Sequence, residues 1–434
     1  MAIETPEGYR PLDEASLPAF LAGLPEIAER LGGAPEDWRV SEVGDGNLNL
    51  VFIVEGKAGD ICVKQALPYV RLVGDSWPLP LERAFFEYRA TTIQARHVGR
   101  LVPEILHYDP ELFLIVMERL SPHIIMRRGM IDTVVYPAFV DHLVEYAAKT
   151  LYFTSDLALP AAEKKPLMAT FAGNSALCKI TEDLIFTDPY RIAPLNRWTS
   201  PELDEVAASI RGDAELKRAV SILKVKFLCH GEALLHGDLH TGSIMVTETD
   251  TRVIDPEFAF FGPIGFDVGK LIGNLLLSYF SQAGHEKEPG ERDGYRQWTL
   301  ETIEKFWNGF ERRFVELWTQ NRTGDAFPPD LFEAADGENG GEVGLRSLGR
   351  AQHDFMRRLF EDAVGYAGSS MIRRILGLAH NIDLELIEDQ RRRAECEKRT
   401  LSLAVDLIKQ ARQIPSIEAV TAKAATLQAT TGTV

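Results

Sequence analysis

Hydrophobic positions keep two different periods on either side of about residue 118. Before it, apolar and polar residues alternate in short runs: Val40–Val43, Leu50–Val54, Ile61–Gln65, Glu104–Tyr108 and Leu112–Met117. A period of two predicts strands with one face buried. A Gly-Lys-Ala-Gly turn at 56–59 joins the second and third runs, and Asp109-Pro110 turns the chain before the last. One segment breaks this pattern: after Pro80, Leu81, Ala84, Phe85 and Tyr88 recur at helical spacing and predict a helix to His97. The expectation is a five-stranded sheet with one inserted helix. Short helices precede it over 13–31, broken at Pro25 and stopped by Gly32-Gly33.

From Glu118 onward the helical period takes over, with helices expected over 132–153, 176–188, 201–211, 214–231, 267–282, 295–320, 346–364 and 369–411. Asp325–Glu342 is rich in Gly, Pro and acids and reads as a surface loop, and the stretch after Pro415 as a fraying tail. The exception to the helical pattern is a short hairpin within Leu234–Phe258, with an aspartate on the loop at either end, Asp238 and Asp255. The fold class is therefore α+β. A small antiparallel lobe is expected over 1–117, a helical lobe over 118–414 and a flexible tail over 415–434.

Composition narrows the partners. The chain has 434 residues, 45% of them hydrophobic, enough for a sizeable core. A formal net charge of −17 argues against a nucleic-acid partner, which would call for clustered Lys and Arg. The four cysteines, Cys62, Cys178, Cys229 and Cys396, have no paired spacing, so neither a zinc site nor a disulfide framework is expected. No basic, apolar leader opens the sequence, and the apolar run Leu271–Phe280 is too short to span a bilayer. A cytoplasmic protein with no membrane partner is the expectation.

The chemically loaded residues fall on the joins of this pattern. Gly44, Asp45, Gly46 and Asn47 lie between the first two strands, where glycines let backbone amides approach phosphate oxygens. Lys64, in Ile-Cys-Val-Lys, is either a solvent-facing strand residue or a buried cation for phosphates, and the second role needs an acid to hold it. Glu82 and Glu87 flank the apolar stripe of the inserted helix; Glu87, nearer its middle, is preferred. Asp238 follows His236-Gly237 in a loop, suited to orienting an acceptor hydroxyl and taking its proton. Asp255 closes a strand before Pro256, suited to holding Mg²⁺ against phosphates. Arg373 and Arg374 lie about 100° apart on a helix, so both can flank one buried stripe. Trp77, between Ser76 and Pro78, is a large ring outside any expected element.

His236-Gly-Asp-Leu-His240 with Ile254-Asp255 resembles the catalytic and metal loops of the protein-kinase-like fold, in its aminoglycoside and choline kinase branch. Within that branch the chain resembles the 5-methylthioribose kinases from about Tyr9 to Lys409. The resemblance rests on Gly44-Asp-Gly-Asn-Leu-Asn, Val73-Gly-Asp-Ser-Trp-Pro, Asp238-Leu-His-Thr-Gly-Ser-Ile-Met-Val, Val253-Ile-Asp-Pro-Glu-Phe and Met371-Ile-Arg-Arg-Ile-Leu-Gly. It implies a two-lobed kinase that uses ATP and Mg²⁺ to phosphorylate the anomeric hydroxyl of 5-methylthioribose in methionine salvage, and a homodimer. It assigns Asp238 to the acceptor hydroxyl, Asp255 and Glu257 to magnesium, and Lys64 to the nucleotide phosphates, alongside Glu87 and Gly44 to Asn47 as the nucleotide-side residues expected above. Met117, Glu118 and Leu120 would form the connector whose backbone reads adenine. Asn49, Trp77, Arg373 and Arg374 would face the sugar. Ser243 departs from related kinases, which usually place asparagine there as a second metal ligand. A serine hydroxyl is a poorer ligand, and Glu257 would supply the missing carboxylate. The competing readings are an aminoglycoside, choline or homoserine kinase and a nucleotide-binding pseudokinase. A protein kinase is disfavoured because no activation segment separates Gly262 from the next helix.

Overall fold

The computed structural model describes residues 5–44, 48–70, 74–333 and 340–429. Contacts divide the chain into two compact units. The first comprises 1–123 with 174–177 and 252–259, and the second holds the remainder. The division falls at His123 rather than 117, and the Asp255–Glu257 stretch belongs with the N-terminal sheet. No local pattern predicts that, because the contacts responsible are long-range.

In the first unit, β1 (Arg39–Glu42), β2 (Asn49–Glu55), β3 (Asp60–Ala66), β6 (Ile105–Asp109) and β7 (Leu114–Glu118) form an antiparallel sheet in the order β1-β2-β3-β7-β6. The expected five strands are all present, within two residues of their expected ends. Alternation decides what each face does. Phe52, Val54, Ile61, Val63, Leu114 and Val116 point one way, into a core closed by Leu17, Leu21, Ile27 and Leu31 of the two N-terminal helices. Lys64, opposite Val51 and Ile115, shares the other face with Cys62 and Met117. The helix Arg83–Val98 packs there, its N-terminal end seated on Ala66 and Phe113 through Leu81 and Ala84. Two short strands that alternation did not predict, β4 (Tyr69–Val70) and β5 (Gly74–Pro78), form a ribbon, and Trp77 lies on β5 rather than outside regular structure.

The second unit is mainly helical. Its centre is the helix Ile264–His285, nearly all of whose residues are buried, running against the helices Gly340–Leu376 and Gln390–Gln410. Three glycines a turn apart allow the closest of these approaches. A Cβ on Gly269 would fall well inside contact distance of the Ala363 carbonyl, and one on Gly273 would lie 2.8 Å from that of Ala367. Gly269→Ala is therefore expected to destabilise the protein by about 2 kcal/mol, overpacking outweighing the roughly 1 kcal/mol gained in helix propensity. A melting temperature equal to that of the unsubstituted protein would contradict this.

Several helical expectations need correction. The segment 369–411 is not one helix: Gly340–Leu376 ends at Gly377, a short helix follows at Ile382–Glu385, and Gln390–Gln410 restarts behind Asp389, whose side chain accepts from Arg392 N–H. Ala379 takes a left-handed φ of 60° in this break. Gly365 and Gly368 do not interrupt the long helix, because they meet Leu223 and Ala404 of its neighbours. Ala161–Phe171, where no helix was expected, is helical with Pro166 inside it. Pro329–Glu333 is helical within the expected loop. After Pro415 the chain forms the helix Ile417–Ala429, with Ile417, Val420, Thr421 and Ala424 buried along one stripe. Among the described residues, no helix is long and apolar enough to cross a membrane.

Candidate active site

The first unit gathers Lys64, Arg83, Glu87, Asp255 and Glu257. Lys64 Nζ lies 2.6 Å from Glu87 Oε2 and donates also to Asp255. Glu82 is exposed, so the choice between the two glutamates falls on Glu87, which is 4% exposed. Arg83, which sequence reasoning passed over, is fully buried. Its guanidinium donates to the carbonyls of Leu48, Leu67 and Pro80 and to Asn49 Oδ1, each at 2.8 Å, and its Nε lies 3.5 Å from Glu257 Oε2. Asn49 completes the link by donating through Nδ2 to Glu257 Oε2 at 3.0 Å. Both ends of its amide are thus engaged in this unit. Asn174 Nδ2 holds the backbone carbonyls of Glu257 and Ala259, both at 2.9 Å.

Three carboxylates therefore face two cations. Burial works against the Lys64 ammonium, but Asp255 and Glu87 more than offset it and hold its pKa above the ordinary value. Burial, with repulsion from Asp255 and Glu257, pushes the Glu87 carboxyl up to about 8, and Glu257 is raised by burial and by Asp255. Oxygens of Glu87, Asp255 and Glu257 all lie within 4.8 Å of one another, the one such acidic group among the described residues. Asp255 is held at a φ of +70°, a conformation that costs about 1 kcal/mol for a residue with a side chain. A surplus of negative charge, a half-exposed Asp255 and oxygen-only donors fit a divalent cation of the magnesium type.

Gly44 is an exposed turn residue, and Asp45, Gly46 and Asn47 lie outside the described residues. Met117 is buried at the penultimate position of β7. Glu118 ends that strand; its N–H donates to Glu104 O at 2.9 Å and its Oε2 accepts from Arg252 at 3.1 Å. Leu120 follows, partly buried, as does Trp77 on its ribbon.

The second unit gathers Asp238, His240, Lys270, Arg127, Arg373, Arg374 and Asp383. Asp238 Oδ1 accepts from Lys270 Nζ, and Oδ2 lies 3.2 Å from His240 Nε2. Burial opposes the charged form, yet Lys270, His240 and Arg374 hold the Asp238 carboxyl well below the usual carboxylate range. Arg373 and Arg374 are both buried at the end of the long helix, where Arg374 donates to Ala379 O at 2.9 Å. The end of the helix at Leu376, with the left-handed Ala379 after it, makes that bond possible. The Nε atoms of both arginines have no hydrogen-bond partner among the described residues. Arg127 reaches Thr241 Oγ1 and Asn274 Oδ1 at 3.0 Å and Asp383 at 3.5 Å. With Asp267 beside Lys270 counted, four cations stand against three carboxylates, the reverse of the balance in the first unit. Arg127 and Lys270 were missed from sequence. Lys270 left a trace, since it and Asp267 are the only charges in the apolar run Ile264–Gln282.

Ser243 Oγ donates to the carbonyls of Asp238 and His240, at 3.0 and 2.9 Å, and accepts from His240 N–H at 3.0 Å. Its hydroxyl is used up in bracing the loop. His240 Nδ1 accepts from Gly242 N–H at 2.9 Å and faces Arg127, which leaves Nε2–H to donate to Asp238. Burial, reinforced by Arg127, lowers its pKa to about 3. The unfolded chain then takes up a proton below about pH 6.5 that the folded chain refuses, so the stability His240 contributes above that pH is lost as acid is added. Between pH 7 and 5 this amounts to about 2 kcal/mol. The melting temperature is expected to fall over that range, and to fall less in His240→Gln; equal slopes would contradict it.

The sequence pattern of the phosphotransferase enzyme family matches residues 39–318. The chain is 48% identical over 417 residues to methylthioribose kinase 1 of Oryza sativa subsp. japonica, covering 95% of this chain and 94% of that one. It is 46% identical over 421 residues to a methylthioribose kinase of Escherichia coli O45:K1 (strain S88 / ExPEC), covering 97% and 98%. Among solved structures, a glucosamine kinase in complex with glucosamine, ADP and inorganic phosphate is similar with a TM-score of 0.48 and 13% identity. That match covers 91% of this chain and 86% of the other.

Proposed function

The chain belongs to the phosphotransferase enzyme family and, within it, to the methylthioribose kinases, and from that premise we propose how its residues divide the work of one reaction. The reaction is transfer of the γ-phosphoryl of ATP to 5-methylthioribose, forming 5-methylthioribose 1-phosphate in methionine salvage. Lys64, fixed by Glu87, holds the nucleotide phosphates. Gly44, Asp45, Gly46 and Asn47, with the backbone of Met117, Glu118 and Leu120, hold the rest of the nucleotide. Asp255 and Glu257 are the residues that would hold Mg²⁺, which when bound neutralises charge on the phosphate oxygens. Asp238 orients the anomeric hydroxyl and takes its proton as the sugar oxygen bonds to phosphorus and the bond to ADP breaks. Arg373 and Arg374, with free donor atoms in a buried place, stabilise the negative charge that develops on the phosphoryl group. Asn49 and Trp77 are carried over from the family as sugar contacts.

The observation that carries the acceptor assignment is the surplus of buried cations around Asp238. It suits a neutral sugar that becomes a phosphate dianion and disfavours a cationic acceptor such as choline or an aminoglycoside. Incubation with Mg-ATP and methylthioribose, ribose, choline, homoserine or kanamycin, following ADP release, tests it. Turnover with methylthioribose alone is expected, and faster turnover with kanamycin or choline would overturn it. A homodimer, carried over from the family, and the cytoplasmic location expected from the sequence complete the proposal. Sedimentation at the mass of a single chain would contradict the dimer.

A further inference from the structure

The helix Ile264–His285 lies in an apolar interior, yet Asp267, Lys270 and Asn274 project from it at spacings of three and four residues, on one face. All three are buried, with 2%, 1% and 1% of their surface exposed. Each engages the loop that carries Asp238. Asp267 accepts from the backbone N–H groups of His236 and Gly237 at 2.6 and 3.0 Å. Asn274 Oδ1 accepts from Thr241 Oγ1 at 3.4 Å and from Arg127 at 3.0 Å. Lys270, between them, donates to the Asp238 carboxylate, and its Nζ lies 3.5 Å from Gly237 O and 5.4 Å from the centre of the Phe266 ring.

Two of these contacts are to backbone or structural groups, and they would fix the loop by themselves. A third tether need not be an ammonium. Burying one is costly and is tolerated where it is paired, and here its partner is the acceptor-side carboxylate itself. Arg373 and Arg374 do not replace it: Arg374 spends a donor on Ala379 O, and among the described residues no hydrogen bond joins either arginine to Asp238. Nor is Lys270 placed to meet a phosphoryl group, since its side chain is 2% exposed and its nitrogen is turned to the loop.

We propose that Lys270 is a positioning residue for the transfer, fixing the carboxylate of Asp238 in the orientation that meets the acceptor hydroxyl. With Oδ1 engaged by Lys270 and Oδ2 by His240, the carboxylate cannot rotate, and each oxygen keeps a lone pair for the acceptor. The proposal rests on the reading of Asp238 as the acceptor-side base. Groups that face the ammonium are Asp238 from the loop, Asp267 from its own helix, and Arg373 and Arg374 from the long helix. Burial and the two arginines lower its pKa to about 8, so its charge depends on the Asp238 contact.

The test is a double-substitution cycle with Mg-ATP and methylthioribose. Lys270→Met is expected to lower kcat about 100-fold and to leave the KM for the sugar within threefold. In an Asp238→Asn background the carboxylate it serves is gone, and adding Lys270→Met should change the residual kcat less than threefold. A folded Lys270→Met protein with unchanged kcat, or the same hundredfold loss repeated in the Asp238→Asn background, overturns the proposal and leaves the reading of Asp238 intact. A fully active Asp238→Asn protein overturns both. If Lys270→Met melts too early to assay, Lys270→Gln keeps a donor without the charge. A loss of about tenfold is expected there, and unchanged kcat in that folded variant is equally contrary.

Discussion

Asp238→Asn is expected to lower kcat about a thousandfold, equivalent to about 4 kcal/mol of transition-state stabilisation. Asparagine keeps the shape and one acceptor oxygen but cannot take a proton. It also removes the charge that Lys270 answers, and that ammonium, already lowered by burial, then loses its proton more readily. The first unit's contacts among Lys64, Glu87 and Asp255 do not involve Asp238. Nucleotide affinity, measured by calorimetry, is therefore expected to stay within a few-fold while ADP release with the sugar collapses. A variant whose kcat falls less than tenfold would show that positioning and charge stabilisation suffice without a base.

Loss of either acid in the first unit should appear as a metal requirement. Glu257→Gln is expected to raise the Mg²⁺ concentration for half-maximal activity about ten- to a hundredfold, and Asp255→Asn at least as far. Gln can still accept from Asn49 but no longer answers Arg83, so part of the effect travels through that buried guanidinium. Asp255→Asn removes a partner of Lys64 as well as a ligand, and leaves Glu87 to hold the lysine alone. Titration with Mn²⁺ followed by electron spin resonance reads the same loss without turnover. A metal dependence unchanged in both variants would remove the acids from the metal site. Ser243, whose hydroxyl is spent within its own loop, would not supply a substitute.

The sheet was legible because alternation is a local signal and each strand carries it. Lys64 was legible as a candidate, but its partner was not. Glu82 and Glu87 flank the same stripe, and only the packing of the helix on β3 buries one of them. The break after Gly377 falls inside a segment expected as one helix over 369–411, although Glu388–Arg393 carries no apolar residue. It is revealed by Ala379 in its left-handed turn and by the cap at Asp389. The helix Ala161–Phe171 was not expected either, and it contains Pro166, a residue that usually ends helices. The two acids of the Asp-Pro-Glu element were visible, while their membership of the N-terminal unit depends on Lys64, Arg83 and Asn174, far away in sequence. Lys270 stood out only as a charge in an apolar helix. Nothing local says which carboxylate it meets.

The most direct measurement is the position of the phosphate on the product. Methylthioribose turned over with Mg-ATP and read by phosphorus NMR should give one sugar phosphate whose phosphorus couples to the anomeric proton, with loss of reducing power in step with ADP formed. Phosphorus coupled to the C2 or C3 proton, or release of inorganic phosphate with the sugar unchanged, would contradict transfer to the anomeric hydroxyl.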